Sequence, residues 1–262
     1  MLALDYQQLL VWLNTFLWPF ARVAALVGSS PILGESTVPV RVKIGISVFI
    51  TLIISPTLPT PPAISPASYT GLWIVAQQIL IGLAMGLTMR IVFAIVQTAG
   101  EFVGLQMGLA FASFFDPATG ANTAVLARLL NVVASLLFVV VNGHLILIMG
   151  LAHSFEILPI GLNTMQTEGF SVLFEWSTQI MLSGMLLALP LIIVLLTISL
   201  ALGILNRTAQ QLSVFAVGFP ISLTVGFILL IVVLPQTQGF LNHLFTLGFE
   251  AMDRLLQALA SR

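Results

Sequence analysis

Charged positions along this chain are so widely spaced that the gaps between them draw its elements. No Asp, Glu, Lys or Arg occurs in residues 44–89, 129–155, 176–206 or 208–249. A membrane-spanning helix needs only about 20 predominantly apolar residues. The pattern predicts six apolar helical segments, over roughly residues 8–33, 44–58, 71–96, 125–151, 176–205 and 214–235. The second lies between Lys43 and the prolines that begin at Pro56, and is short for an independent span. An interrupted stretch, 97–124, separates the third from the fourth.

Between the segments the chain changes character. SPTLPTPPAISP (55–66) carries too many prolines for a helix and reads as a stiff, extended connector. The tail, 240–260, places Leu241, Leu244, Phe245, Met252, Leu255, Leu256 and Leu259 along one helical face and Glu250, Asp253, Arg254 and Gln257 elsewhere. That is an amphipathic surface helix. Composition agrees with the spans: 59% of the 262 residues are hydrophobic and 6% charged, against roughly 25% charged in soluble domains. The fold class expected is an all-α integral membrane protein of about six long apolar segments, with strand-length alternation absent. MLALDYQQLLVWL has Asp5 where a signal peptide carries positive charge, so the N-terminal segment is expected to be retained.

Basic residues give an orientation. Arg41 and Lys43 fall in the first connection, Arg90 and Arg128 flank the interrupted stretch, and Arg207 is in the fifth connection. The connections 55–70 and 152–175 contain none, which puts the first, third and fifth connections towards the cytoplasm and both termini outside. Arg254 and Arg262 in the tail weigh against this arrangement.

Several chemistries are excluded or disfavoured. A net charge of −1 leaves no basic footprint for nucleic acid. Without cysteine there is no disulfide, thiol chemistry or Cys-based metal site. The one lysine, Lys43, follows Val42 and cannot belong to a P-loop. His144, His153 and His243 have no ligand spacing, and no nucleophile–base arrangement is apparent. No cofactor, metal or catalytic group is expected.

The remaining polar groups form stripes. At about 100° per residue, Arg90, Gln97, Glu101, Gly104 and Gly108 share one face of the helix entering the interruption. Arg128, Asn131, Ser135 and Asn142 share one on the helix leaving it. A charge at the bilayer centre costs about 2.5–3.5 kcal/mol on insertion scales, so these faces should meet protein or water. Gly100, Gly104 and Gly108 recur every fourth residue, as in closely packed membrane helices. Glu101 and Arg128 are expected to lie close and neutralise each other.

The interruption itself reads FASFFDPATGAN (111–122). Pro117 lacks an N–H and restricts Asp116, so a helix should end there. Asp116 can bond nearby backbone N–H groups, and Asn122 or Thr123 can cap the helix that follows. Residue chemistry leaves three options, an exposed connection, a re-entrant segment or a plug, and ranks the exposed connection first.

At this point the residues resemble a known family. GEFVGLQMGLAFASFFDPATG (100–120), VLARLLNVVASLLFVVVNGHL (125–145), SFEILPIGLN (154–163), MLLALPLIIVLLTISLALGILNR (185–207) and VFAVGFPISLTVG (214–226) look like FliR, a subunit family of the bacterial flagellar export apparatus. The likeness runs over nearly the whole chain. One departure is Gln210, where many members have proline in an Ala-Pro-Gln run and this chain has Ala209-Gln210-Gln211.

The resemblance implies a non-enzymatic subunit of a type III export gate in the bacterial inner membrane, within the flagellar basal body. FliP and FliQ would be its sister subunits, with FlhB attached, and unfolded flagellar proteins would pass through the conduit. It further implies a FliP-like part, 1–175, and a FliQ-like helix pair with the tail, 176–262. The loop matching roughly 106–122 would plug the closed channel, beside a methionine ring supplied by FliP. Its plug residues would be Met107, Phe111, Phe114, Phe115, Asp116, Pro117 and Gly120. Asn206, Arg207, Gln210 and Gln211 would lie at the cytoplasmic entrance. The alternatives are the equivalent subunit of a virulence secretion system, a self-contained solute transporter using Glu101 and Arg128, and a scaffold that never touches substrate.

Overall fold

Eight α-helices and three short 3₁₀ turns account for most of the described residues of the computed structural model, which are 6–109, 125–162, 165–208 and 214–260; no strand occurs among them. The helices are α1 (Tyr6–Ser29), α2 (Val40–Ile54), α3 (Tyr69–Gln106), α4 (Val125–Val140), α5 (Gly143–Ile157), α6 (Phe170–Thr208), α7 (Val214–Val233) and α8 (Thr237–Ala260). Five helical stretches are long and apolar enough to cross a membrane, or six if α4 and α5 are one bent span. At 1.5 Å per residue, α3 and α6 are each nearly 60 Å long, about twice a hydrocarbon core.

Boundaries follow local chemistry. Pro39 precedes α2, and Pro56 stands in the 3₁₀ turn that closes it. Ser68 caps α3, its Oγ accepting from the N–H of Gly71 at 3.0 Å. The extended connector is tied down by Asn14, whose Nδ2 donates to the carbonyls of Pro62 (3.0 Å) and Ile64 (2.8 Å). Pro19 lies inside α1 and has no N–H for the carbonyl of Thr15. The hydroxyl of Ser55 donates to that oxygen instead, at 2.9 Å.

Two boundaries differ from expectation. The segment expected over 125–151 is broken: α4 and α5 meet at a bend of 66°. Asn142 there takes the left-handed conformation (φ 57), and Asn-Gly favours a turn over a continued helix. Asn142 therefore belongs to a bend, not to the polar stripe of α4. At the other boundary, α3 runs past residue 96 but stops at Gln106, well before Pro117. Gly108 follows at φ 81, and its N–H donates to the carbonyl of Leu105 at 3.0 Å, the glycine stop that ends many helices. Asp116 and Pro117 lie outside the described residues.

The chain divides into two compact units, residues 1–91, 142–177 and 246–262 in the first, and 92–141 and 178–245 in the second. In the first, α1 packs on α2 and crosses α3 closely. A Cβ on Gly82 would lie 2.2 Å from the carbonyl oxygen of Arg22, and one on Gly86 would lie 1.9 Å from Ser29 Oγ. Only glycine permits that approach.

Arg22 is the centre of this unit, 0% exposed among apolar neighbours. Its Nε donates to Gln78 Oε1 at 2.8 Å. Its Nη1 reaches the carbonyl (2.8 Å) and hydroxyl (3.0 Å) of Ser154, and Nη2 the carbonyl of Leu158 (2.7 Å). The guanidinium also lies 4.1 Å from the centre of the Phe155 ring. These carbonyls close the C-terminal end of α5, where the helix dipole is negative and cations are favoured. Trp176 adds a second tie, its indole N–H donating to the carbonyl of Thr88 at 3.0 Å. The tail helix α8 completes the unit by burying Met252, Leu255, Leu256 and Leu259. A Cβ on Gly150 would lie 2.5 Å from Met252 Cε.

Replacing Arg22 by alanine strands the Gln78 amide oxygen and the Leu158 carbonyl at about 1–3 kcal/mol each, while the Ser154 carbonyl keeps the N–H of Leu158, so Arg22→Ala should unfold well below the native chain. Arg22→Lys keeps the charge but loses the planar fork, and should recover only part of the difference. Thermal unfolding in detergent, followed by tryptophan fluorescence, reads both; equal midpoints for all three chains would sink the assignment.

Candidate functional site

The second unit contains the residues that flank the interruption. Its core is built from α3 (Ala99, Val103), the adjoining Met107, α4 (Leu126), α6 (Ala188, Leu191, Leu195) and α7 (Leu230). Phe93, Phe138 and Phe245 form a cluster, with ring centres 5.7 Å apart for Phe93–Phe138 and 5.2 Å for Phe138–Phe245. Both of those pairs are edge-on, the favoured arrangement for aromatic quadrupoles. An apolar cavity of about 30 Å³ lies among Val96, Ala99, Leu130, Ala188, Leu230 and Leu241. It has room for a water but few groups to bond one, so it should stay dry.

The three glycines expected to act alike have separate roles. Gly100 is the close contact: a Cβ there would lie 2.5 Å from Ala127 Cα, so α3 and α4 touch backbone to backbone. Gly104 has ordinary space, its nearest neighbours being Leu109 and Leu126 at 3.8 and 3.9 Å. Gly108 supplies the positive φ that stops α3. Met107, a plug residue by the family resemblance, is fully buried in the core of this unit.

The polar stripes are exposed. Arg90, Gln97, Glu101 and Arg128 all lie at the surface of the chain, whereas Asn131 is partly buried and its Oδ1 has no hydrogen-bond partner among the described residues. The expected pairing of Glu101 with Arg128 is not formed. Glu101 instead accepts from Gln97 Nε2 at 3.1 Å on its own helix. Two charges on separate helices meet only where the helices are in register at that level, a property that residue spacing along either helix does not carry. At the other end of the chain, Arg207 is exposed in the last turn of α6, where a cation suits the helix dipole. Asn206 is helical, while Gln210, Gln211, Phe111, Phe114, Phe115, Asp116, Pro117 and Gly120 lie outside the described residues. No group of His, Asp and Glu among the described residues could hold a metal ion.

Sequence reasoning missed Arg22 and Gly226. An arginine inside an apolar segment is a signal in itself; Gly226 offers none, because what matters there is a side chain from a distant part of the chain.

A chain of long apolar helices, with charges on exposed helix faces and a helix broken between two of them, is a polytopic membrane protein built to be surrounded. The model of bacterial export proteins, family 1, matches residues 13–248, and the chain belongs to that family. It is 48% identical over 259 residues to the flagellar biosynthetic protein FliR of Escherichia coli (strain K12), covering 99% of each chain. It is 48% identical over 263 residues, 100% of each chain, to the FliR of Pectobacterium carotovorum subsp. carotovorum. Identity to the FliR of Bacillus subtilis (strain 168) is 32% over 244 residues, 92% of this chain and 94% of that one. Flagellar biosynthesis and export is therefore the process in which it acts, and a membrane its location.

Truncating Phe138, buried to 1% exposure between Phe93 and Phe245, should cost about 3–5 kcal/mol. Phe138→Ala should lower the midpoint of thermal unfolding in detergent by several degrees, and Phe138→Leu by clearly less. Equal midpoints for Phe138→Ala and the native chain would show that the cluster is not a core.

Proposed function

We propose that this chain is a non-enzymatic subunit of the flagellar type III export gate, assembled with homologues of FliP, FliQ and FlhB in the bacterial inner membrane. Unfolded flagellar proteins pass through the conduit, and the segment around 106–122 plugs it when closed. Residues 1–175 act as the FliP-like part and 176–262 as the FliQ-like part, with Asn206, Arg207, Gln210 and Gln211 at the cytoplasmic entrance. The first, third and fifth connections face the cytoplasm.

The observation that supports this best is the exposed polar face of α3 and α4. Arg90, Gln97, Glu101 and Arg128 stand on helices whose other exposed residues are, Thr70 apart, apolar or aromatic, such as Leu105, Leu129, Val132 and Leu136. Lipid cannot cover the first set cheaply, and water does not suit the second. Sister subunits can cover both. The apolar surface of α6 and α7, including Leu182, Leu186, Ile193, Leu200, Ile228 and Ile231, suits lipid or further sister helices in the same way.

Two measurements test the proposal. Native mass determination of the detergent-extracted complex should find one copy of this chain with several different membrane proteins; a homo-oligomer would overturn it. Deleting residues 112–119 should raise proton leak through the assembled complex. A complex that stays equally tight after the deletion would remove the plug from the proposal.

A further inference from the structure

We propose that Gly226 is a positioning residue for the gate: a notch on α7 that seats Met107 and so fixes the point at which the chain leaves α3. The inference rests on the reading of the segment after Met107 as a plug.

Along α7, Gly218, Ser222, Gly226 and Leu230 are buried and recur every fourth residue, so one face of the helix turns inward and three of its four residues are small. Into the gap at Gly226 comes the side chain of Met107. A Cβ added to Gly226 would lie 2.6 Å from Met107 Cε, 2.7 Å from Cγ and 2.8 Å from Sδ. Three atoms of one side chain within 3 Å of that point mean that the thioether fills the notch along its length. Methionine suits such a site, being unbranched, flexible and polarisable.

The seat lies where α3 stops. The N–H of Met107 still donates to Val103 O at 2.9 Å, continuing the helical pattern, and Gly108 then turns at φ 81. Ala99, Val103, Leu126, Leu191 and Leu195 enclose Met107 in the same core. The backbone leaving Gly108 is thus held by a buried side chain one residue earlier. A methyl group on Gly226 displaces the Met107 side chain from the notch, which loosens its hold on that departure point while leaving the exposed residues of the gate unaltered.

The test uses the full export complex and reads proton leak as the rate at which a pH gradient collapses in membrane vesicles. Gly226→Ala should raise the leak at least about fivefold, the population change that a modest loss of packing produces, with the amount of assembled complex unchanged. Adding Met107→Ala, which makes room for the new methyl, should reverse more than half of that rise. The chain has no native cysteine, so the pair Met107→Cys and Gly226→Cys can be crosslinked cleanly. A thiol in place of the methionine Cγ lies within disulfide reach of a Cβ at 226. The oxidised pair should be as tight as the native complex. A tight Gly226→Ala complex, a double variant as leaky as Gly226→Ala, or a cysteine pair that fails to crosslink overturns the proposal. Should Gly226→Ala fail to assemble, the cysteine pair decides alone. A complex that leaks after deletion of 112–119 but stays tight with Gly226→Ala loses only the notch; one that is tight after the deletion loses the plug reading itself.

Discussion

Arg22 carries a positive charge in the interior of the first unit, and the surrounding residues are arranged to tolerate it. Desolvating an ion costs several kcal/mol, and no carboxylate among the described residues neutralises this one. Oriented dipoles do so instead: one glutamine side chain, one hydroxyl, and two carbonyls at the end of α5, with the Phe155 ring alongside. The Ser154 carbonyl also takes the N–H of Leu158 at 2.9 Å, so the Gln78 amide oxygen and the Leu158 carbonyl depend most on the guanidinium. Arg22 and the end of α5 therefore satisfy each other, which fixes α1, α3 and α5 in one arrangement. The close passage at Gly82 and Gly86 brings the backbones near enough for the side chain to reach.

The second unit is held by different means. Its described core is hydrocarbon and aromatic, its close approach is at Gly100 on Ala127, and no charge is buried among its described residues. A core of that kind tolerates rearrangement more readily than a polar network, whose every partner must be satisfied at once. It is the unit from which the interrupted segment departs. An anchored half and an adaptable half suit the gate subunit proposed above.

Most of the helices were legible because an uncharged apolar run of that length can satisfy its backbone in a bilayer only as a helix. The bend between α4 and α5 was missed, because the apolar run around Asn142-Gly143 is continuous and hides a two-residue signal. The glycine patterns show a firmer limit. Gly82-x-x-x-Gly86 and Gly100-x-x-x-Gly104 look the same on paper, yet both glycines of the first pair are too crowded by a neighbouring helix to carry a Cβ, and only one of the second is. What decides is the partner, which spacing does not name. Arg22 was visible as an anomaly, but two of its acceptors are backbone carbonyls, which every residue possesses. Met107 was singled out for its position beside the interruption, while its burial depends on a glycine in a helix far along the chain.

The partners of Arg22 also set an order in time. Ser154 lies 132 residues after it in the chain, and ribosomes add about 5–20 residues per second. For on the order of ten seconds the nascent protein holds α1 with a charge that nothing yet made can fully satisfy. α1 is thus made well before the helix that receives its charge, and its arginine has to stay hydrated until α5 arrives.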